Sequence, residues 1–142
     1  DMTWSETAMK ESFYFSNMCP QNPGLNRGAW KDLEESIRKW VKEDSAIAIV
    51  CGPLVDKRDT TIGRNEVKIP HAFFKVIVSP YVTTPRGIGF VFKNEKEDAP
   101  LSAYVVSIDS VEALTGMDFF SELPDELENR LESQNNIFDW EL

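Results

Sequence analysis

The sequence predicts an α+β domain, a mostly antiparallel sheet with flanking helices. Three observations carry that class. Four short runs, Ala46–Cys51, Ala72–Ser79, Gly89–Lys93 and Ala103–Ile108, are rich in Val, Ile, Phe or Tyr and bounded by Pro, Gly, Asn or Asp, as strands are. A long amphipathic helix stands before them and short helices follow, so the coarse order is helix, strand, loop, long helix, several strands, short helices. The 142 residues are one domain, long enough to bury a real core.

Taken in order, Met2–Ser12 reads as a short polar helix or turn with Ser5 as its N-cap. Phe13–Phe15 is a short apolar run, read as a buried strand. The loop 16–28 follows, its prolines and glycines arguing against a helix. Ala29 to Glu43 is the clearest helix, because Trp30, Leu33, Ile37, Trp40 and Val41 recur at the spacing of a core-facing stripe. Residues 53–66 and 94–100 read as polar loops. In "DSVEALTG", Asp109 is the expected N-cap, Glu112 its capping-box partner and Gly116 the stop. "PDELENRLES" opens with Pro124 at a first helical turn and makes a last surface helix.

Net charge is −9 and the pI is about 4.6. That balance counts against binding nucleic acid through bulk positive charge, but not against meeting phosphate locally through a metal ion and a few arginines. The acid gathers toward the C-terminus, where 118–142 carries a single base, Arg130, among many carboxylates. Asp139, Glu141 and the residues near Asp125 read as a solvated acidic face rather than a glycosidase-type carboxylate pair. No apolar run approaches the roughly 18 residues a membrane span needs, and the opening "DMTWSETAMK" is not a signal peptide. Cys19 and Cys51 make neither a disulfide framework nor a zinc site. They read as small semi-buried residues, with one disulfide left open.

The stretch "FYFSNMCPQNPGLNRGAWKDLEESIR" holds the chemistry. Taking Trp30 as zero and roughly 100° per residue, Glu34 falls near 40°, bordering the buried stripe, and Glu35 near 140°, in solvent. Arg38 lies one turn beyond Glu34 on the same flank. Asn26 stands just upstream of the helix, where backbone N–H groups and the dipole attract phosphate. Two readings are open on these residues alone. In one, Asn26 caps the helix and Glu34–Arg38 is an i,i+4 ion pair. In the other, Asn26 offers an oxygen to a hydrated Mg²⁺, Glu34 holds a water of that ion, and Arg38 faces a phosphate.

"SNMCPQNPGLNRGAW" followed by "LEESIR" resembles the signature of the sugar-non-specific DNA/RNA endonucleases, the ββα-metal or His-Me finger family. The family pattern runs Ser-Asn-x-x-Pro-Gln, a short loop, Leu-Asn-x-x-x-Trp, then Leu-Glu and a later Arg. "IPHAFFKVIV" resembles the family's Pro-then-aromatic-Lys strand, and "TGMDFFSELPDELENRLE" its closing helix region. The resemblance implies a ββα-metal endonuclease-like fold and a metal-dependent, sequence- and sugar-non-specific endonuclease acting on the DNA and RNA backbone. It implies Asn26 as the metal ligand, for Mg²⁺ with Mn²⁺ as a substitute. Glu34 is then the carboxylate behind the ion, Arg38 the phosphate-side cation, and Asn17 and Gln21 shape the site and touch substrate, Asn17 as part of the catalytic set and Gln21 as a substrate-binding residue. Arg27 occupies a variable position, with a phosphate contact and open solvent as its two readings.

One part of the family pattern is absent. The general base of the family is a histidine in an Asp-Arg-Gly-His motif, and these 142 residues contain none. The chain is therefore expected to be the C-terminal larger part of an endonuclease domain, inactive alone, with an upstream segment or chain supplying the histidine and a strand beside Phe13–Phe15. His71 belongs to a different motif and is expected to be structural or at the surface. The alternative is a non-catalytic nuclease-like binding or assembly module. The resemblance further implies a secreted or periplasmic location and leaves room for a homodimer.

Overall fold

Four strands form one antiparallel sheet in the order β1-β4-β5-β6, and two more form a hairpin. These are β1 (Ala48–Leu54), β4 (Ala72–Ser79), β5 (Arg86–Lys93) and β6 (Val105–Val106), with β2 (Thr61–Ile62) and β3 (Val67–Lys68) in the hairpin. The computed structural model describes residues 5–96 and 98–140. Every strand pairing is antiparallel, as expected. The helices are α1 (Glu6–Glu11), α2 (Pro23–Arg27), α3 (Ala29–Asp44), α4 (Ile108–Thr115) and α5 (Asp125–Glu132). None is long and apolar enough to cross a membrane among the described residues.

β4 is the spine. All eight of its residues are buried, because it lies between β1 and β5 with helices on both faces. Side chains alternate across a strand, and here they build two cores. Phe73 and Ile77 join Ile88, Phe90 and Phe92 of β5 under Leu33, Ile37 and Trp40 of α3. Phe74, Val76 and Val78 pack instead with Ile108 and Val111 of α4, Phe119, and Leu131 of α5. α5 sits so close to β5 that a Cβ on Gly87 would stand 2.6 Å from the Leu131 carbonyl oxygen. On the α3 side, Arg86 makes a two-pronged ion pair with Asp44 (2.9 and 2.8 Å) and stacks 4.6 Å from the Trp140 ring. It also donates to the Asp139 carbonyl, so one guanidinium ties α3, β5 and the C-terminal turn together.

Several expectations are corrected. Phe13–Phe15 is no strand: Phe15–Asn17 forms a 3₁₀ turn, and Phe13, Tyr14 and Phe15 stand exposed. The loop 16–28 contains α2, since Pro23 occupies a first-turn position where it needs no N–H donor and Asn22 caps it through Gly24 N. Asn26 accordingly lies inside α2 and does not cap α3, whose N-cap is Gly28. The 53–66 loop gives way to the β2–β3 hairpin. Of Ala103–Ile108 only Val105–Val106 pairs, because Leu101–Tyr104 is a 3₁₀ turn. β1 runs to Leu54, and β5 starts at Arg86, three residues ahead of its expected Gly89. Ser107, not Asp109, caps α4, and Glu112 accepts from Phe119 N instead of closing a capping box. Gly116 does stop α4, at φ 70°. Ser5 caps α1 as expected, although Met2–Trp4 lie outside the described residues. Val41 is exposed, and Cys19 and Cys51 are exposed free thiols, neither semi-buried nor bridged.

Candidate active site

α3 places its side chains as the helical angles require. Leu33 and Ile37 are buried, Glu34 is half-buried, and Glu35 points outward to pair with Lys31 at 3.4 Å. Trp30 edges against Phe73 (5.8 Å) and Phe92 (5.9 Å), which orients its indole N–H to donate to Glu34 Oε1 at 3.1 Å. The same oxygen lies 3.7 Å from Lys75 Nζ. Lys75 is 4% exposed, on the α3 side of β4, with its ammonium 4.1 Å from the centre of the Trp30 ring. Burial pulls its pKa below the usual value and the Glu34 carboxylate raises it in part. Arg38 stands 4.0 Å from Glu34 Oε2 and is more than half exposed, so its charge is open to another partner. Glu34 is thus held by an indole and an ammonium, not chiefly by Arg38.

Asn26 presents an amide from the last turn of α2. Its Nδ2 donates to Gln21 Oε1 at 2.6 Å, and among the described residues its oxygen accepts no hydrogen bond. Gln21 is itself fixed by its neighbours. Asn94 accepts from Asn22 N (2.6 Å) and donates to the carbonyls of Pro20 (3.1 Å) and Pro70 (2.8 Å), so one side chain ties the loop to the end of the β4–β5 pair where β4 begins and β5 finishes. Pro20, Gln21, Asn22, Ile69 and Asn94 line a shallow cavity of about 230 Å³ there. Asn17 is exposed and donates to the Glu11 carbonyl at 2.9 Å, and Arg27 is exposed.

His71 stands apart from these groups in its bonding. Its Nδ1 is 3.0 Å from Asp59 Oδ2, in a pocket with Asp56 and Arg58. Asp59 is held below the usual carboxylate range, first by the hydrogen bond from Asp56 N and then by His71. A surface role is what these contacts support.

Two residues in this region escaped the sequence reading. Asn94 sat in a stretch read as polar loop, and nothing in its local pattern announces a bond to a residue 72 positions away. Lys75 had a signal that was passed over: a lysine in the middle of the apolar run Ala72–Val78 is a buried charge in need of a partner.

Comparison with known proteins decides the family. Residues 1–126 match the model of the DNA/RNA non-specific endonuclease family. The chain belongs to that family. It is 31% identical over 142 residues to the mitochondrial Nuclease 1 of Schizosaccharomyces pombe, covering 87% of this chain and 44% of that protein. It is 33% identical over 129 residues to mitochondrial Endonuclease G of Homo sapiens, covering 82% of this chain and 43% of that protein. Among solved structures, a chain from the crystal structure of the EndoG/EndoGI complex, concerned with the mechanism of EndoG inhibition, superposes with a TM-score of 0.78 at 31% identity. The match covers 88% of this chain and 57% of that one. The ββα-metal endonuclease-like fold is therefore the fold of this chain. The chain spans under half the length of these two curated relatives. Those relatives are mitochondrial nucleases, as are one from Saccharomyces cerevisiae and one from Mus musculus, which overturns the expectation of a secreted or periplasmic enzyme.

Proposed function

We propose that this chain carries the metal-binding part of a nuclease that cleaves the backbone of DNA and RNA without sequence preference. The observation that carries this reading is the Asn26 amide. Its nitrogen is pinned by Gln21, and its oxygen accepts no hydrogen bond from the described residues. A hydrated Mg²⁺ takes only one or two protein oxygens and keeps its other positions for water and phosphate, so a single neutral oxygen fits it, with Mn²⁺ as a substitute. When bound, the ion stabilises charge on the phosphate and on the departing oxygen.

The remaining roles belong to this chain's own residues. Glu34, steadied by Trp30 and Lys75, accepts from water at the site. Arg38 offers a guanidinium to a phosphate oxygen, which its loose 4.0 Å contact with Glu34 leaves it free to do. Gln21 fixes the Asn26 amide, Asn17 offers an exposed amide to substrate, and Arg27 adds positive charge near the backbone. Such groups meet phosphate rather than base edges, in keeping with non-specific cleavage. The general base is a histidine supplied by an upstream segment, since His71 is engaged with Asp59.

The test is cleavage of supercoiled plasmid with Mg²⁺ by residues 1–142, alone and together with the upstream segment of the protein. The expected outcome is no cleavage alone, cleavage with the segment, and loss of that activity in Asn26→Ala. Strong cleavage by residues 1–142, abolished by His71→Ala, would overturn the assignment of the base. Asn26→Ala with full activity would overturn the metal site.

A further inference from the structure

On the opposite face of the sheet from α3, carboxylates gather where α4, α5 and the segment between them meet. Helical spacing aligns them: Asp109 and Glu112 are three apart on α4, and Glu128 and Glu132 four apart on α5. Asp118 comes from the connecting segment. Oxygens of Asp109, Glu112 and Glu132 lie within 4.8 Å of one another, and so do those of Asp118, Glu128 and Glu132. Glu132 belongs to both sets.

Glu132 is the unusual member. It is 7% exposed, packed at the end of α5 next to the buried Leu131, yet its Oε1 has no hydrogen-bond partner. Glu128 Oε1 is likewise buried and unpartnered. Among the described residues no lysine or arginine forms an ion pair with any of the five carboxylates. Buried carboxylate oxygens are normally hydrogen-bonded or neutralised, because an uncompensated charge in an apolar setting is costly. Burial and the neighbouring carboxylates together push the Glu132 pKa up to about 7.

We propose that Asp109, Glu112, Asp118, Glu128 and Glu132 form a calcium site that clamps α4 to α5, separate from the nuclease site. Calcium takes six to eight oxygens at about 2.3–2.6 Å, and carboxylate oxygens within 4.8 Å of one another are close enough to share such an ion. Magnesium demands a tighter octahedron and keeps its waters, which suits a crowd of carboxylates less well. The exposure grades from open at Asp109 and Asp118, through half-buried Glu112 and Glu128, to buried Glu132, so an ion reaches the inner oxygen from solvent. Since α5 lies directly against Gly87 of β5, the clamp also steadies the sheet.

Thermal melting of the full-length protein at pH 8, stripped of metal and then given millimolar calcium, tests this. A cation well above its dissociation constant raises Tm by about 5–10 °C for a domain of this size. The same concentration of magnesium gives a much smaller rise. Glu132→Gln, which removes an unpaired charge, folds in the metal-free state and loses the calcium shift. Asp118→Asn, at an exposed position, loses most of it and stands in should Glu132→Gln fail to fold. No calcium shift in the wild type, an equal shift in both variants, or an equal shift with magnesium would overturn the proposal.

Discussion

Lys75 Nζ lies 3.7 Å from Glu34 Oε1, buried beneath the Trp30 ring, although the two residues are 41 positions apart (75 − 34) and sit on a strand and a helix. A buried ammonium in a strand of aromatic and aliphatic residues is a burden on folding unless it serves something. Its folded-state pKa is pulled below the ordinary 10.5, first by burial, against the opposing pull of Glu34. The unfolded chain therefore holds this proton to higher pH than the folded one. Stability from this group rises as pH climbs from the lowered folded value to 10.5, and below both values the ammonium carries its full burial penalty.

Lys75→Met should accordingly separate stability from activity. The linear apolar side chain fills the same space without the desolvation penalty, so Tm at neutral pH stays level or rises. Glu34 loses its anchor, and the rate on plasmid DNA falls about 10-fold or more, as when groups behind a metal site are removed. A melting curve and a nicking assay on the same preparation decide it. Unchanged activity would mean Lys75 is there for packing alone.

Glu34→Ala and Glu35→Ala differ by one position and should differ sharply in effect. Glu34 is tied to Trp30 and Lys75, whereas Glu35 reaches only Lys31, both more than half exposed. Loss of Glu34 should lower the rate about 10²–10³-fold, the range for a preorganised group at a developing charge. Loss of Glu35 should leave it within about threefold, since exposed i,i+4 pairs contribute little. Equal losses in the full-length protein would show that the working face of α3 is not the Glu34 side.

The legible part of this molecule is the part set by periodicity. The stripe of α3 and the length of β4 followed from residue spacing, and the placement of Glu34 against Glu35 followed from the same helical angle. What escaped depends on partners distant in sequence. Phe13–Phe15 has the composition of a buried strand, but no strand lies beside it and its aromatic rings stand in solvent. α2 was hidden by its own prolines and glycines, because Pro23 breaks a helix in the interior yet favours one at the first turn. Val105–Val106 is short because β6 pairs with only Gly89 and Phe90 before the chain turns into α4. The acidic C-terminal region, read as a solvated face, contains a glutamate that packing has buried.

Asn94→Ala should loosen the site without touching it. The side chain makes three hydrogen bonds to the backbone of Asn22, Pro20 and Pro70, and alanine removes all three. Partly buried bonds of this kind contribute roughly 1 kcal/mol each, so stability falls by about 2–3 kcal/mol and Tm by several degrees. Gln21, whose own peptide bond carries the loosened carbonyl of Pro20, then holds the Asn26 amide less firmly. The metal concentration needed for half-maximal cleavage should rise about 10-fold. Asn94→Asp keeps the oxygen that accepts from Asn22 and should fall between. A metal titration indistinguishable from wild type would confine Asn94 to stability.

The sheet itself indicates where an upstream segment would join. Among the described residues β1 is an edge, paired with β4 alone, and Ala48 to Cys51 are exposed along it, including Ile49 at 43% and Val50 at 37%. An edge with unpaired N–H and C=O groups and exposed aliphatic residues is an open invitation to another strand. The far edge, β6, is two residues long and gives way at once to α4. If the upstream segment adds a strand along β1, it covers the exposed free thiol of Cys51, which pairs with Lys75 across the β1–β4 ladder. Maleimide labelling followed by peptide mass mapping reads this one cysteine in either form of the protein. Labelling of Cys51 should be about tenfold or more slower in the full-length protein than in residues 1–142, while Cys19, outside the sheet, reports the general accessibility of the preparation. Equal rates at Cys51 in the two forms would place the upstream segment elsewhere and leave β1 a true edge.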